Sequence, residues 1–475
     1  MPNGLIAIVK RDCPTCTLIA PVLAELTDRS NETLTVYSQD DPTFPETIGG
    51  AIDDHDLEVS FALNLDTVPT LIRVENGQET ARTVGWSRER WEALTGLSDL
   101  GPGLPPYRPG CGSRTQDPAI AAARATAIGE RNLSARRLTL GTEEDEVEAM
   151  FERGWSDGLP VVAPTTERVV RMLTGTTRAA DEIVAVVPPD LVECTVEKIA
   201  INAVMAGCRP EYLPVVLAAV EAACTDEFNM HGLLATTWFS GPVVVVNGPI
   251  ANAVGMNNGI NALGPGNRAN ATIGRALQLV IRNVGGGRPG EVDRATLGQP
   301  GKYTCCFSEH EDGIWEPMHV ERGMRADQSA VTLFAGEGVR GIVDQLSRTP
   351  ESLTRTFAAC LRTNAHPKLP LAFDAMIIIT PDHLRVYEEA GWSKARFREE
   401  LGPLLQIDGH EMIRGAGGIA EGIPESLSEI TLPKFRDGGL LIAHAGGGAG
   451  LFSGIIGGWA SGAMGSEPVT REVRT

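Results

Sequence analysis

Apolar runs of strand length alternate with helix-spaced segments over the N-terminal part of the chain. Residues 5–10, LIAIVK, predict a buried strand, and residues 13–28, CPTCTLIAPVLAELTD, follow with the spacing of an amphipathic helix. Residues 67–86, TVPTLIRVENGQETARTVGW, predict a hairpin that turns at Asn76-Gly77. We therefore predict β-helix-β units that form one domain over residues 1–98.

The next stretch, residues 99–118, breaks this pattern. Its glycines and prolines make it too irregular for a helix, so we predict a flexible linker between two domains. The linker carries Cys111. Residues 119–133, AIAAARATAIGERNL, then predict a helix.

The remaining residues, 119–475, alternate helical and strand patterns without a fixed repeat. Short apolar runs bounded by Gly and Pro predict interior strands, as in GPVVVVNGP at 241–249 and FDAMIIITP at 373–381. Amphipathic and largely apolar helices are predicted between them. The predicted fold class is α/β, with a small first domain and one large mixed α/β second domain.

Residues 440–464, LLIAHAGGGAGLFSGIIGGWASGAM, carry no formally charged side chain and are long enough to cross a bilayer. Their many glycines would weaken a helix in lipid. We therefore predict a buried strand that ends in a glycine loop.

Composition narrows the function classes. The formal net charge is −20 and the pI is near 4.9, so the chain lacks the basic surplus that nucleic acid or anionic lipid requires. The N-terminus has no basic start followed by a long apolar run, and we predict a cytoplasmic protein without an export signal. Its nine cysteines are then expected to be reduced thiols.

The CPTC motif at residues 13–16 carries the strongest chemical signal. Cys13 is expected at a helix N-terminus, where free amides and the helix dipole lower a thiol pKa and make it the attacking sulfur. Cys16, one turn later, is expected to resolve a mixed disulfide by forming a Cys13–Cys16 bond. Zinc sites use the same spacing, but no second CxxC or paired His follows nearby. The charge of Asp12 opposes a thiolate, which leaves the redox potential and the direction of electron flow open.

Together with the Val68-Pro69 pair that enters the hairpin, these features resemble thioredoxin over about a fifth of the chain. The resemblance implies a thioredoxin-like fold for residues 1–98. It also implies a redox-active dithiol in place of a bound cofactor. By the same resemblance Pro69 is expected to be cis, to lie against the CxxC motif and to help bind substrate.

Cys111 lies between Gly110 and Gly112, so backbone amides can approach its sulfur. Arg108 and Arg114 are expected to lower its pKa through their charge, and Arg114 is expected to contact the substrate. These surroundings predict a catalytic thiol. The alternative is an incidental exposed cysteine in a linker.

Several stretches of the chain resemble the UGSC family, which is named for a Sec-Gly-Ser-Cys motif and has members with a thioredoxin-like N-terminus. The stretches that carry the resemblance are RPGCGSR at 108–114, GWSDGLPVVAPTTERV at 154–169, AINAVMAGCRPEYLPVVLAAVEAAC at 200–224, GPGNRANATIGRA at 264–276 and AHAGGGAG at 443–450. Cys111 to Ser113 match the first three motif positions, and Arg114 stands in place of the final cysteine. The resemblance implies redox chemistry and a UGSC-like α/β catalytic domain over residues 119–475. Because the adjacent resolving sulfur is missing, the CPTC pair is expected to regenerate Cys111.

Residues 261–276 place a glycine-rich turn just before a predicted helix. Free amides at a helix start, backed by arginine, suit a carboxylate or phosphate of a substrate. A plain turn with a helix cap explains the pattern equally well. The residues expected to bind the anion are Gly266, Asn267, Arg268, Asn270 and Arg275.

Residues 301–323 gather thiol, imidazole and carboxylate side chains in a short span. Glu309 and His319 are expected to act as general acid or base. No metal site is predicted, because the adjacent Cys305 and Cys306 are poorly placed to bind one zinc ion together. A purely structural segment is the alternative.

The function predicted is that of a thiol-dependent oxidoreductase. The Cys111 thiolate attacks a small electrophilic or oxidised substrate, Cys13 then attacks Cys111, and Cys16 resolves the bond. Thioredoxin reductase or a low-molecular-weight thiol is expected to reload the pair, without cofactor or metal. The alternatives are a non-redox cysteine-dependent lyase or hydrolase and a protein that binds soft metals or electrophiles. No nucleic-acid or membrane partner is expected, and a homo-oligomer is compatible with the sequence.

Overall fold

The computed structural model describes residues 3–117, 119–120, 133–141 and 144–474. The chain divides into two compact units, Met1–Ile128 and Gly129–Thr475. Both units combine helices with parallel and antiparallel strands, so the predicted α/β class is confirmed. The helix predicted over residues 119–133 lies almost entirely outside the described residues.

The first unit is built around a five-stranded sheet. Its described elements are β1 (Gly4–Val9), α1 (Pro14–Arg29), β2 (Leu34–Ser38), β3 (Ile52–Asp53), α2 (Glu58–Ala62), β4 (Thr67–Val68), β5 (Thr70–Glu75), β6 (Gln78–Val84), β7 (Trp86–Ser87), α3 (Arg88–Thr95), β8 (Tyr107–Arg108) and β9 (Cys111–Gly112). The strand order is β3-β2-β1-β5-β6, with β1 parallel to β2 and antiparallel to β5. The predicted hairpin of β5 and β6 is confirmed, because Asn76 and Gly77 take the positive φ angles, 53° and 76°, that such a turn requires.

Burial of apolar faces holds this unit together. The helix α1 places Ile19, Leu23 and Leu26 on one face, three to four residues apart, and all three are fully buried against the sheet. Each such side chain contributes about 1.5–3 kcal/mol relative to an exposed one. Trp86 and Trp91 pack edge to face at 5.3 Å between ring centroids, which closes the core beside α3.

Residues 99–117, which the sequence predicts to be linker, are hydrogen-bonded to the first unit. The strand β8 pairs with β7, and β9 pairs antiparallel with β4 in the register Thr67↔Gly112 and Val68↔Cys111. The Thr15 hydroxyl donates to the Pro109 carbonyl at 2.7 Å. Glycine and proline exclude a helix here, but they leave the extended conformation that strand pairing uses. Cys111 is therefore a residue of the first unit.

The second unit surrounds a seven-stranded mixed sheet. Its described elements are α4 (Glu146–Glu152), α5 (Thr166–Leu173), β10 (Ile183–Val187), β11 (Val192–Thr195), α6 (Val196–Ala206), α7 (Leu213–Ala223), α8 (Met230–Ala235), β12 (Gly241–Asn247), α9 (Pro249–Ala253), α10 (Arg268–Asn283), β13 (Cys306–Ser308), α11 (Met318–Glu321), β14 (Ala330–Val343), α12 (Pro350–Arg362), β15 (Phe373–Ile379), α13 (Pro381–Glu389), α14 (Lys394–Leu404), β16 (Gln406–Asp408), α15 (Gly409–Met412), β17 (Thr431–Pro433), β18 (Leu440–His444), β19 (Phe452–Ala460) and β20 (Val469–Glu472). The main order is β13-β12-β14-β19-β15-β18, and β20 pairs with β14. Every residue of β12 is buried, as its continuous apolar run predicts.

The glycine-rich segment at 440–464 forms two strands rather than one. The predicted strand is β18, and the glycine loop that follows it leads into β19, which the apolar pattern did not predict as a separate strand. Both strands lie within the main sheet, where β18 pairs with β15 and β19 pairs with β14 and β15. In the part of the chain that the structure describes, no helix is both long and apolar enough to cross a bilayer.

Candidate functional site

The first unit brings three thiols together at the start of α1. Cys13 is the N-cap residue of this helix, and Pro14 occupies its first turn. The Cys13 sulfur accepts the Cys16 amide at 3.3 Å and lies 3.6 Å from the Val68 carbonyl oxygen. The peptide bond between Val68 and Pro69 is cis, as the resemblance to thioredoxin implied.

The Cys13 thiol is the acidic member of this group. Hydrogen bonding from the Cys16 thiol lowers the pKa of Cys13 to about 5, assisted by the Cys111 thiol and the amides of Cys16 and Thr15 and opposed by burial. The predicted direction of the shift is thus found, although neighbouring thiols contribute as well as the helix start. The shift favours the thiolate form of Cys13 at neutral pH.

Cys16 shows the opposite behaviour. Its side chain is 0 % exposed, and burial raises its pKa far above the ordinary value, with a further increase from its hydrogen bond to the Cys13 thiolate. It therefore stays protonated beside the thiolate. This is the protonation state expected of a thiol that reacts second.

Cys111 lies beside Cys13, but its acidity is the reverse of the prediction. Burial raises its pKa, and the hydrogen bond to the negative Cys13 raises it further. The Arg114 guanidinium is directed elsewhere, since it donates to the Gln39 carbonyl and lies 3.3 Å from His55 Nδ1. The expected lowering of the Cys111 pKa is therefore wrong in direction, whereas a substrate contact by Arg114 stays a prediction.

Two glycines allow the Cys111 strand to approach. A side chain on Gly110 would meet the Val68 carbonyl oxygen at 2.7 Å and Thr67 closer still. Gly85, with φ of +68°, lies against it, and the Gly85 amide donates to the Pro69 carbonyl at 2.7 Å. Pro69 thus helps to hold the wall on which β9 rests. Close approach of backbones is what requires glycine at both positions.

Removing the Cys111 thiol is expected to raise the pKa of Cys13. In a Cys111→Ala variant the thiolate loses one hydrogen bond, and the pKa should rise by about one unit above its value near 5. The ultraviolet absorbance of the thiolate, or its alkylation rate, followed against pH gives the midpoint. Cys360→Ala, a half-buried thiol of α12, is the control that should leave the midpoint unchanged. An unchanged or lower midpoint in Cys111→Ala would show that the two sulfurs do not interact.

The expected anion site at the start of α10 is occupied by contacts within the chain. Asn267 caps the helix by accepting the Asn270 amide at 3.0 Å, and the Asn270 side chain donates to the carbonyls of Asn257 and Ala262. Arg268 donates from Nε to the Gly207 carbonyl at 2.9 Å. The turn itself uses Gly266 at φ of +121°. These side chains have structural partners, as the helix-cap alternative requires, and the anion site stays a prediction.

Arg275 has a structural partner as well. Its Nε and one terminal nitrogen donate to the two carboxylate oxygens of Asp157, each at 2.8 Å. The same terminal nitrogen reaches the carbonyls of Leu159 and Pro160 at 3.0 Å. The guanidinium joins α10 to the loop before α5, and its predicted contact with a substrate anion stays a prediction.

Glu309 and His319 are both enclosed. The Glu309 carboxylate is 4 % exposed, accepts hydrogen bonds from the Asn247 side chain and the amides of Met318 and His444, and has its pKa raised by burial. His319 is 0 % exposed, and burial lowers its pKa. The carboxylate joins β12, α11 and β18 through these bonds, and the acid/base role expected of Glu309 and His319 stays a prediction. In the described ranges no three His, Cys, Asp or Glu side chains form a group that could hold a metal ion.

The contacts that position Cys111 beside Cys13 were not predicted from the sequence. The strand β9 and the residues next to it contact Thr15, Gly85 and the carbonyl of Val68. The local pattern holds one usable signal, the glycine directly after the hairpin. The strands β4 and β9 are more than forty residues apart in sequence. Their pairing produces no periodic pattern in the sequence from which it could be predicted.

No model of a known protein family matches the chain, and no curated protein matches it at a significant level.

Proposed function

We propose that the first unit is a thioredoxin-like thiol–disulfide oxidoreductase that reduces a small oxidised substrate through a relay of three sulfurs. The observation that carries the proposal is the pairing of Cys111 with Val68, which sets its thiol beside the Cys13 thiolate. A thiolate attacks disulfide sulfur, and attack requires that the two sulfurs be in reach. The geometry supports exchange between Cys111 and Cys13.

The solvent exposure of the three cysteines supports an order in which their sulfurs react. Cys13 is 1 % exposed and Cys16 is 0 % exposed, whereas Cys111 is only half-buried. A substrate in solution reaches Cys111 most readily. We therefore assign the first contact with substrate to Cys111 and the inner steps to the CPTC pair.

The relay balances for a disulfide substrate R–S–S–R. Cys111 passes its proton to the hydrogen-bonded Cys13 thiolate and, as a thiolate, attacks the substrate. This step forms Cys111–S–S–R and expels R–S⁻, which takes the proton from Cys13, leaves as R–SH and restores the Cys13 thiolate. The Cys13 thiolate attacks the Cys111 sulfur, forms a Cys13–Cys111 bond and expels the second thiolate R–S⁻. Cys16 then attacks Cys13, closes the Cys13–Cys16 disulfide and passes its proton to the departing Cys111. The substrate gains two electrons, and the CPTC pair loses them.

An external dithiol or low-molecular-weight thiol then reduces the Cys13–Cys16 disulfide. The resemblance of the second unit to the UGSC family, which implies redox chemistry, stays a prediction. The relay needs a reducing environment, such as the cytoplasm, in which the pair can be reduced again. Fusion of the Cys111 strand to the CPTC domain raises its local concentration to about millimolar or above, which replaces docking between separate proteins.

The contact between β9 and β4 can be altered to test this proposal. Gly110→Ala places a methyl group against the Val68 carbonyl, so β9 must lift away from β4. Turnover of a small aliphatic disulfide should fall about 10- to 100-fold, because the Cys111 and Cys13 sulfurs separate. The assay follows thiol release in the presence of excess reductant.

Gly112→Ala is the matched control in the same strand. A methyl group at Gly112 meets nothing within 4 Å, so its activity should stay within about twofold of the parent protein. If circular dichroism shows that both variants are folded and their activities are equal, turnover does not depend on the position of Cys111. That result would contradict the relay.

A further inference from the structure

The second unit contains a large cavity at one end of β12. Its volume is about 570 Å³, within the range of small-molecule sites. The wall is formed by α8, the start of β12, the second half of α10 and the glycine-rich turns that follow it up to Tyr303. None of the three thiols of the first unit lines it, so a ligand bound in this cavity has a role separate from the relay.

Three polar side chains that line this cavity carry buried donor atoms without a partner. They are the Ser240 hydroxyl, the Gln278 amide nitrogen and the Arg282 Nε, and none of these atoms has a hydrogen-bond partner within the described residues. Ser240 is only 1 % exposed. Buried polar atoms are normally satisfied, and leaving one unpaired costs about 1–3 kcal/mol. The unpaired set points to a ligand that accepts hydrogen bonds.

Charge favours an anion. Asp157 is neutralised by Arg275 at 2.8 Å, and Asp293 by Lys302 at 2.7 Å. Arg282 lines the cavity without a carboxylate within ion-pair distance in the described part of the chain, and its terminal nitrogen reaches only the Gly154 carbonyl at 3.4 Å. Counted together with Arg275, which lies outside the lining but pairs with Asp157, these charges leave one cation, Arg282, without a carboxylate partner.

The remaining wall is apolar. Leu233, Leu234 and Ile281 line it, and the backbone of Gly287 closes it from the side of the glycine turn. A side chain on Gly287 would meet Leu234 at 2.9 Å and Ile281 at 3.0 Å, so glycine is what lets this turn pack directly on the aliphatic wall. A hydrocarbon segment of a ligand would be stabilised here, because it would bury its apolar surface against this wall and release water from it.

We propose that this cavity is a binding site for a small monocarboxylate with a short aliphatic chain. The carboxylate accepts from Arg282, Gln278 and Ser240, and the aliphatic chain packs on Leu233, Leu234 and Ile281. One excess cation matches one carboxylate. The apolar wall selects against small inorganic anions, which have no surface to bury there.

The test is titration of the full chain with butanoate, butanamide and butylamine, followed by calorimetry and ligand-observed NMR. Butanoate should bind saturably and at least about tenfold more tightly than the neutral amide, because a charge-assisted bond to Arg282 is lost in the amide. Saturable binding of butylamine in preference to butanoate would overturn the proposal, and so would the absence of saturable butanoate binding.

Variants locate the site. Arg282→Met should weaken butanoate binding at least about tenfold, while Arg355→Met, an exposed arginine on α12, should leave it unchanged. Gln278→Met, which removes only an unpaired amide, provides a second test should Arg282→Met fail to fold. Butanoate affinity equal to that of the parent protein in a folded Arg282→Met or Gln278→Met variant would place the ligand elsewhere and overturn the proposal.

Discussion

Cys13→Ser is expected to slow the reduction of small disulfides about 10³-fold or more. A thiol with a pKa of about 5 is ionised throughout the neutral range, whereas a serine hydroxyl is not, and the thiolate is the attacking species. The loss should appear in turnover under excess reductant, measured as thiol released from a small aliphatic disulfide. Activity of the parent protein should persist as the pH falls toward 5 and then decline as Cys13 takes up a proton.

Cys360→Ser is the matched control for this substitution. Cys360 is a free, half-buried thiol of α12 in the second unit, and it has no part in the relay. Its turnover should stay within about twofold of the parent protein. Substantial disulfide reduction by Cys13→Ser would mean that Cys111 reacts without the CPTC pair, and the relay would have to be abandoned.

The second large effect is a trapped disulfide. In Cys16→Ser the sulfur that breaks the Cys13–Cys111 bond is missing, so this bond should accumulate in nearly every chain treated with a small disulfide. Alkylation of free thiols, proteolysis without reductant and mass spectrometry should identify the linked peptides. The parent protein, treated in the same way, should contain the Cys13–Cys16 bond instead.

The double variant Cys16→Ser, Cys111→Ser separates the proposed bond from chance oxidation. Here Cys13 should be recovered as a free thiol or as a mixed disulfide with the substrate fragment, and not in a bond to another cysteine of the chain. Should Cys16→Ser itself yield that same mixed disulfide, with Cys111 alkylated as a free thiol, Cys111 would lie outside the reaction path.

Local patterns identified most of the fold. The hairpin was predicted from the strand pattern of residues 67–86 and from its turn at Glu75-Asn76-Gly77, where Asn76 and Gly77 take the positive φ angles that such a turn demands. The buried strands β12 and β15 were predicted from continuous apolar runs, which have few other uses in a globular protein. The residues 99–117 show the limit, since their composition excludes a helix but does not tell a free linker from a strand that pairs with a distant one.

In the candidate site, too, features set by neighbouring residues could be predicted and features set by distant residues could not. The position of Cys13 at the start of α1 follows from its neighbours in sequence, and so does the lowered pKa. The acidity of Cys111 does not, because it depends on where the guanidinium of Arg114 points and on which sulfur carries the negative charge nearby. The ion pair of Arg275 could not be predicted either, since its partner Asp157 is more than a hundred residues away in sequence.

The pairing of Cys111 with Val68 has a consequence for the choice of reaction partner. An extended polypeptide commonly binds by adding itself as a further strand at an open backbone edge. The edge at β4, next to the most reactive sulfur, is already filled by the chain itself. An unfolded or loop-borne polypeptide would have to displace β9 before it could add itself to β4, whereas a compact solute needs no such exchange of strands.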